Sequence, residues 1–580
     1  MPREWRFSPF DEVRVRTLAS RLNISPVLAQ ILASRGFECH ERAGAFLDPR
    51  LSKLHDPELL PGVSAAAGAI VKALGEGRRI TIYGDYDVDG VTATSLLWHC
   101  LHLAGGKVEY YIPHRLEEGY GLNCEALDKL HERDRSMLVV TVDCGISSVR
   151  EADHARQIGL ELIITDHHEF GSELPRATAL VHPRLPGGDY PFGELCGAGV
   201  AFKLAWAICT RLGDGKKASP RMREYLLAAV GLAAIGTVAD VVPLVDENRV
   251  LVRFGLRSLC ERSSPGLKAL FNVTELGERA VLDAEDVGFT IAPRINAAGR
   301  LGQARLAAEL LTTASGERAA MLANYLEEQN KARQTVERRM LKQARELLAA
   351  RPEWTADAAL VLEHHEWHAG VIGIVASRVA ELYQKPAVLI ALSGPDQPGQ
   401  GSARTFGGLD LHAGLSACAA ELVTFGGHRA AAGLKIARER IDSFREAFCR
   451  YALENQELGA SDLELRIDAE VRLADLTLRA VTELERLGPF GRGNPRPVLA
   501  STRVELAQPP RKMGEGERHL DLRVRHYGKV MRAIAFGRGE WAEEIAAVNG
   551  PFSISFAANI NRFRGQQNVE LTLLDWQPVH

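Results

Sequence analysis

Apolar positions along the chain change their period several times, and each change predicts a different kind of element. From about residue 60 to 310, short β-branched runs alternate with helical stretches, as in a parallel sheet covered by helices. Residues 79–83, 137–142 and 161–165 are apolar almost throughout, which predicts interior strands. Residues 317–351 are rich in Glu, Lys, Arg, Gln, Ala and Leu and hold no Gly or Pro before Pro352, so one long exposed helix is expected to connect two lobes. An α/β pattern restarts at 358–362 and 386–390 and ends near residue 455. From Leu487 onward, residues 519–525, 529–536, 552–559 and 569–574 alternate apolar with polar positions, which predicts a small antiparallel barrel or sandwich. Residues 11–46 read as helical and are expected to buttress the first lobe.

The expected organisation is therefore an N-terminal helical extension (1–60), a parallel-sheet α/β lobe (61–316), a connector helix (317–352), a smaller α/β lobe (353–460) and a C-terminal barrel (461–580). A length of 580 residues exceeds what one core supports, and 46% apolar with 25% charged residues argues for packed cores over disorder. The nine cysteines are scattered singly with no C-x-x-C pair, which gives no sign of a disulfide framework or thiolate zinc site and fits a reducing, cytoplasmic setting. The first residues lack a signal peptide's apolar run, and the longest apolar stretch, 226–239, is short for a bilayer and ends at Asp240; a buried helix and no membrane segment are expected. A formal charge of −4 argues against indiscriminate coating of nucleic acid but leaves room for a local basic track.

Three successive strands end in groups that bind hard cations: Asp85-Tyr-Asp87-Val-Asp89-Gly90, Asp143-Cys-Gly145 and Asp166-His167-His168. In a parallel sheet the carboxyl ends of strands share one edge, so these residues should converge. Asp240 offers another carboxylate at a segment end. Like charges gathered in one crevice repel unless cations neutralise them. A mostly carboxylate set with one or two imidazoles suits Mn²⁺ or Mg²⁺, and so many donors allow two ions and in-line phosphoryl displacement. An EF-hand reading of 85–90 fails because the twelfth position is Leu96 and a strand precedes the loop. A zinc-peptidase reading of His364-His-Glu-Trp-His368 fails because Ala369 stands where the second histidine belongs.

At these residues the chain resembles the DHH phosphoesterase superfamily, named for the triplet seen here as Asp166-His167-His168. The resemblance extends through Arg115-Leu-Glu-Glu-Gly-Tyr-Gly121, Pro293-Arg-Ile-Asn-Ala-Ala-Gly-Arg300 and Trp367-His-Ala-Gly-Val-Ile-Gly-Ile-Val-Ala-Ser-Arg378 over nearly the whole chain, and is strongest to the superfamily's single-strand-specific DNA exonucleases. It implies metal ligation by Asp87, Asp89, Asp143, His167 and Asp240, with Asp85 and His168 close in or serving a second ion and Asp166 in the catalytic set. It also implies that Arg115, Ser402 and Arg404 grip a 5′-terminal phosphate, with Arg294, Asn296, Arg300, His368, Gly427 and His428 on the substrate side. Arginine's planar fork of donors suits phosphate independently of the resemblance. Two mild departures from the family pattern bear on binding strength more than on activity: Ser402 is followed by Ala403-Arg404-Thr405, and His114 precedes Arg115 where family members often carry Asn.

The implied substrate is single-stranded DNA with a 5′ end, degraded processively in repair and recombination, by a monomer working with single-strand-binding protein and a helicase. The barrel would be of OB type. Lys and Arg outnumber acids from 492 to 538, and Arg511, Lys512, Arg523, Arg525, Arg532, Tyr527 and Phe563 are its candidate contacts. Two rivals remain: a small-substrate phosphoesterase, which would lack the barrel, and a catalytically dead binding protein, which would lack ligands.

Overall fold

Runs of fully apolar residues are stable as strands only when both sheet faces are covered, and that is how they fold here. In the computed structural model, which describes residues 3–115, 118–119, 121–394, 397–455, 464–548, 550–563 and 566–579, a five-stranded parallel sheet runs in the order Lys107–Tyr111, Arg79–Gly84, Leu138–Val142, Glu161–Thr165, Ala179–Val181. All five residues of Leu138–Val142 are buried. In chain order the strands lie 2-1-3-4-5, so the connections diverge between Arg79–Gly84 and Leu138–Val142, where an open sheet presents its crevice.

The strand-helix alternation ends earlier than the pattern suggests. After Val181 no further strand occurs before Leu360 among the described residues; Gly197–Arg211 and Pro220–Ala239 are helices. Their apolar residues surround the axis, and periodicity alone cannot separate a buried helix from a buried strand. Pro220–Ala239 is apolar and long enough to cross a membrane, yet Ala229 to Thr237 are buried against the helices Val88–Leu103 and Gly197–Arg211.

The connector, Gly316–Ala350, is not the wholly exposed helix its composition suggests. Leu322, Leu326, Met340, Ala344 and Leu348 form a buried stripe, and Arg333 is buried with Glu337 at 2.7 Å while Arg378 reaches the other Glu337 oxygen at 2.6 Å. Beyond it a second sheet runs in the order Thr424–Gly427, Ala431–Ile436, Gly399–Arg404, Ala387–Ala391, Leu360–His364, antiparallel except for the last pair.

These lobes form one compact unit (55–242 and 254–455); a second contains 3–54, 243–253 and 464–579. In the second unit the strands Leu499–Leu506, Phe552–Phe563, Gln566–Pro578, Lys529–Ala535 and His519–His526 pair in succession, and pairing of the first with the last closes a barrel. The N-terminal segment is part of this second unit. Its strand Glu4–Phe7 pairs with Glu464–Ile467, and Leu18, Leu28, Ile31 and Leu32 share a core with Leu473, Val481, Leu484 and the barrel's Phe556. A helical pattern shows which face is apolar but not which distant surface receives it.

Candidate metal centre and its basic neighbours

Each acidic group is positioned by the end of an element. Asp87 caps the helix Val88–Leu103, accepting from the Gly90 N–H at 3.0 Å, and this turns Asp89 inward in the first helical turn. Asp89 is buried and receives the first amides of Gly197–Arg211, Gly197 N at 2.6 Å and Ala198 N at 2.9 Å. Asp143 follows its strand at φ 62°, a left-handed conformation that costs a non-glycine residue on the order of 1–2 kcal/mol. Close approach explains two glycines: a Cβ on Gly197 would lie 2.5 Å from Asp143 Oδ1, and one on Gly236 2.4 Å from Asp89 Oδ1.

The convergence predicted from strand ends is present. His167 Nε2 lies 3.1 Å from Asp143 Oδ1, 3.6 Å from Asp240 Oδ2 and 3.7 Å from Asp89 Oδ2. Ligand atoms of Asp89, His167 and Asp240 lie within 4.8 Å of one another; so do those of Asp85, Asp87 and Asp143, and those of Asp143, Asp166, His167 and His168. Asp85 Oδ1 and His167 Nε2 are buried and make no hydrogen bond.

Two of the expected residues are engaged differently from the rest. Asp166 accepts from the N–H groups of Ile146 (2.9 Å) and His167 (2.7 Å) and from His168 Nδ1 (2.8 Å), so it orients the loop more than it faces the cluster. Burial opposes its charge, but these partners hold its carboxyl down at about 2. Burial likewise works against the His168 imidazolium, yet the Asp166 carboxylate lifts it to about 9. Burial and His168 push His167 down to about 4, the neutral form in which imidazole ligates metal. Burial raises Asp85, Asp89 and Asp143 above the usual carboxylate range, with Asp87 adding to Asp85, and Asp89, Asp87, Asp85 and Asp240 adding to Asp143.

Two ionised carboxylates 4 Å apart repel by about 4 kcal/mol at an effective dielectric of 20, and a whole protein is stable by only about 5–15 kcal/mol. Several such pairs are tolerable only with protons or cations among them. Oxygen donors with one neutral imidazole and two unsatisfied buried atoms fit a hard divalent ion.

Beside the acids stands a basic group. Arg115 lies 4.7 Å over the Tyr86 ring. Arg300 donates to Gly370 O at 3.1 Å, and burial together with Arg115, Arg333 and Arg404 pushes it down to about 10. Arg404 donates to Ser402 Oγ at 2.8 Å and is lowered by burial and by Arg115. A Cβ on Gly373, at the start of the helix Ile372–Tyr383, would lie 2.7 Å from Arg404 Nη2. His368 is half-buried, its Nδ1 accepting from Gly370 N at 3.1 Å.

Other expected substrate residues lie on adjoining segments, the helix that carries Arg300 and the hairpin paired with the strand of Ser402 and Arg404. Arg294 is ion-paired with Glu327 at 2.6 Å and also donates to Thr290 O, and Asn296 is half-buried on the helix Ala292–Arg300. Gly427 and His428 are exposed at the turn of the hairpin Thr424–Gly427/Ala431–Ile436. In the barrel, Arg532 is paired with Asp521 and Glu570, and Lys512 with Glu543, while Arg511, Arg523, Arg525 and Tyr527 are exposed. The side chain of Phe563 lies outside the described residues. Sequence reasoning missed the Gly197 and Ala198 amides, whose signal is the Cys196-Gly-Ala-Gly199 run opening a helix, and it missed His182 and Arg184 behind the histidine loop.

Residues 79–235 match the DHH family, N-terminal domain; residues 356–454 match the DHHA1 domain. With carboxylates and a histidine gathered at the switch point of a parallel sheet, these define a DHH-class phosphoesterase. Residues 467–575 match the RecJ OB domain. The single-stranded-DNA-specific exonuclease RecJ of Bacillus subtilis is 36% identical over 98% of this chain and 70% of its own length, and that of Escherichia coli 34% over 96% of each. The crystal structure of RecJ in complex with Mn²⁺ from Thermus thermophilus is 33% identical, with a TM-score of 0.83 over 100% of this chain and 80% of that one. The chain belongs to the RecJ family of single-stranded-DNA-specific exonucleases.

Proposed function

We propose that this protein is an exonuclease that hydrolyses phosphodiester bonds of single-stranded DNA from the 5′ end, with two Mn²⁺ or Mg²⁺ ions held by the acidic cluster. The observation that carries the proposal is the meeting of Asp89, Asp143 and Asp240 around His167 Nε2 at 3.1–3.7 Å. Asp89, His167 and Asp240 would hold one ion and Asp85 and Asp87 the other, with Asp143 close to both sets. Bound there, the ions supply an activated water and neutralise charge on the attacking and leaving oxygens. Asp166 keeps His167 and His168 aimed; the Gly197 and Ala198 amides keep Asp89 aimed.

Arg115, Arg300 and Arg404 with Ser402 supply donors for a phosphate beside that centre, and the 5′-terminal phosphate is the group they would grip. Gripping an end sets both the polarity and the exonucleolytic mode. Arg294, already paired with Glu327, would act by holding its helix in place, and Asn296, His368, Gly427 and His428 would line the strand's path. The barrel would add affinity along the strand through Arg523, Arg525 and Tyr527. The setting would be cytoplasmic repair and recombination, by a monomer working with single-strand-binding protein and a helicase.

Matched single- and double-stranded DNA labelled at either end tests this. Manganese-dependent release of the 5′ label from single strands is expected, and free degradation of a 5′-blocked strand from its 3′ end would refute the polarity. Equal rates for the parent and Asp143→Ala would remove the cluster from the mechanism and favour the binding-protein rival.

A further inference from the structure

His167 and His168 lie in a loop after a strand, and a loop by itself does not fix the aim of two imidazoles. Behind it runs His182-Pro-Arg184, which leaves the edge strand Ala179–Val181. His182 is completely buried. Its Nε2 lies 2.9 Å from the carbonyl oxygen of His168 and its Nδ1 3.0 Å from the backbone nitrogen of Arg184. An amide can only donate, so Nδ1 accepts and Nε2 carries the proton that is given to the His168 carbonyl. The Arg184 guanidinium donates to the neighbouring carbonyl, His167 O, at 3.0 Å through Nη2, and to Glu169 Oε1 at 2.6 Å through Nη1. The Phe170 ring meets the His182 ring edge-on at 5.1 Å. On the same stretch, Asp166 N donates to Val181 O at 3.1 Å.

We infer that His182 and Arg184 are positioning residues for the metal centre: they latch the backbone carbonyls of His168 and His167 so that the side chains of this loop are held toward Asp143 and Asp89. Neither touches the acidic cluster; both act through the loop. The inference rests on the metal-centre reading above. Outer partners of metal ligands typically govern affinity by roughly 10- to 100-fold, and the same range is expected here.

The test is Mn²⁺ titration of the full chain, followed by the free-ion electron paramagnetic resonance signal, with circular dichroism and thermal unfolding as controls for folding. His182→Leu, which keeps bulk but neither donates nor accepts, should weaken Mn²⁺ binding about 10- to 100-fold. His182→Gln, with an amide donor near the Nε2 position, should recover part of that loss. Arg184→Ala should weaken binding less, because one of the two carbonyls stays latched; its side chain is 36% exposed, so this variant decides the matter if His182→Leu does not fold. Asp143→Ala is measured alongside. Parental Mn²⁺ affinity in folded His182→Leu and Arg184→Ala, with affinity lost in Asp143→Ala, would overturn the latch alone. Parental affinity in Asp143→Ala as well would overturn the metal-centre reading and the latch with it.

Discussion

The acidic and basic halves of the site solve opposite problems by the same means. Asp85, Asp89 and Asp143 are buried side chains whose carboxyls are pushed up, because burial disfavours their charged forms. Arg300 and Arg404 are half-buried side chains pushed down by desolvation, each lowered further by a neighbouring arginine. Each half concentrates one sign of charge beyond what the other neutralises. The acids are aimed by strand ends and helix caps and call for cations; the arginines come from a helix end and a strand of the second sheet and call for a phosphate. Preorganised charge of this kind costs stability in the free protein and is repaid when ligand binds.

The comparison breaks most sharply at Asp143. Replacing it with Ala should lower the cleavage rate by at least on the order of 10³-fold, several kcal/mol of transition-state stabilisation, with the strand still bound. Single-turnover cleavage beside DNA-binding titrations checks this. Loss of binding with unchanged single-turnover rate would move Asp143 from chemistry to substrate recognition.

On the basic side, Arg404→Lys keeps the charge and loses the planar fork. It should lower kcat/KM on 5′-phosphorylated strands by roughly 10- to 100-fold, and much less on 5′-hydroxyl strands. Arg294→Lys, whose partner is Glu327, should not distinguish the two ends. If it does, Arg294 belongs with Arg404 after all.

pH separates the halves in another way. The raised carboxyls of the metal-free protein contribute stability that is fully present below about pH 4, their ordinary range, and lost as pH rises through their higher folded values. Mn²⁺ needs the ionised forms, so its binding strengthens over the same rise. The increase in Tm on adding Mn²⁺ should therefore be larger at pH 8 than at pH 5.5, by a few degrees. An equal increase at both values would mean that protons and metal do not compete in this cluster.

The acids were legible in the sequence because geometry is cheap to infer there: a parallel sheet puts its strand ends on one edge, so Asp85, Asp87, Asp89, Asp143 and His167 could be brought together before any coordinates. The arginines were legible only through resemblance, since no local pattern says that Arg300, on a helix, and Arg404, on a distant strand, share neighbours. His182 and Arg184 were not legible at all, because they act on backbone carbonyls, which carry no sequence signature. The same limit applies to the N-terminal helices: the apolar face of Pro26–Ser34 is evident, but its partner, the barrel core, lies more than 400 residues away in the chain. In the connector, frequent charges at the exposed positions concealed the buried stripe from Leu322 to Leu348.

The smallest effect is expected on the barrel, where one strand pair offers a built-in comparison. Arg523 and Arg532 face each other across the strands His519–His526 and Lys529–Ala535, but Arg532 is bound to Asp521 and Glu570 while Arg523 is exposed. Arg532→Ala strips two carboxylates of their partner and should lower barrel stability, by about 1 kcal/mol given the partial exposure, without changing the salt dependence of DNA binding. Arg523→Ala removes no internal partner; it should weaken binding to a long single strand about two- to three-fold and reduce the slope of log affinity against log salt by somewhat under one. Tyr527→Ala, removing a ring that is 82% exposed, should weaken binding with no change of slope, because stacking releases no counterions. Identical slopes for all three variants would mean that this face does not follow the phosphate backbone, and the affinity would have to come from the Arg115, Arg300 and Arg404 group alone.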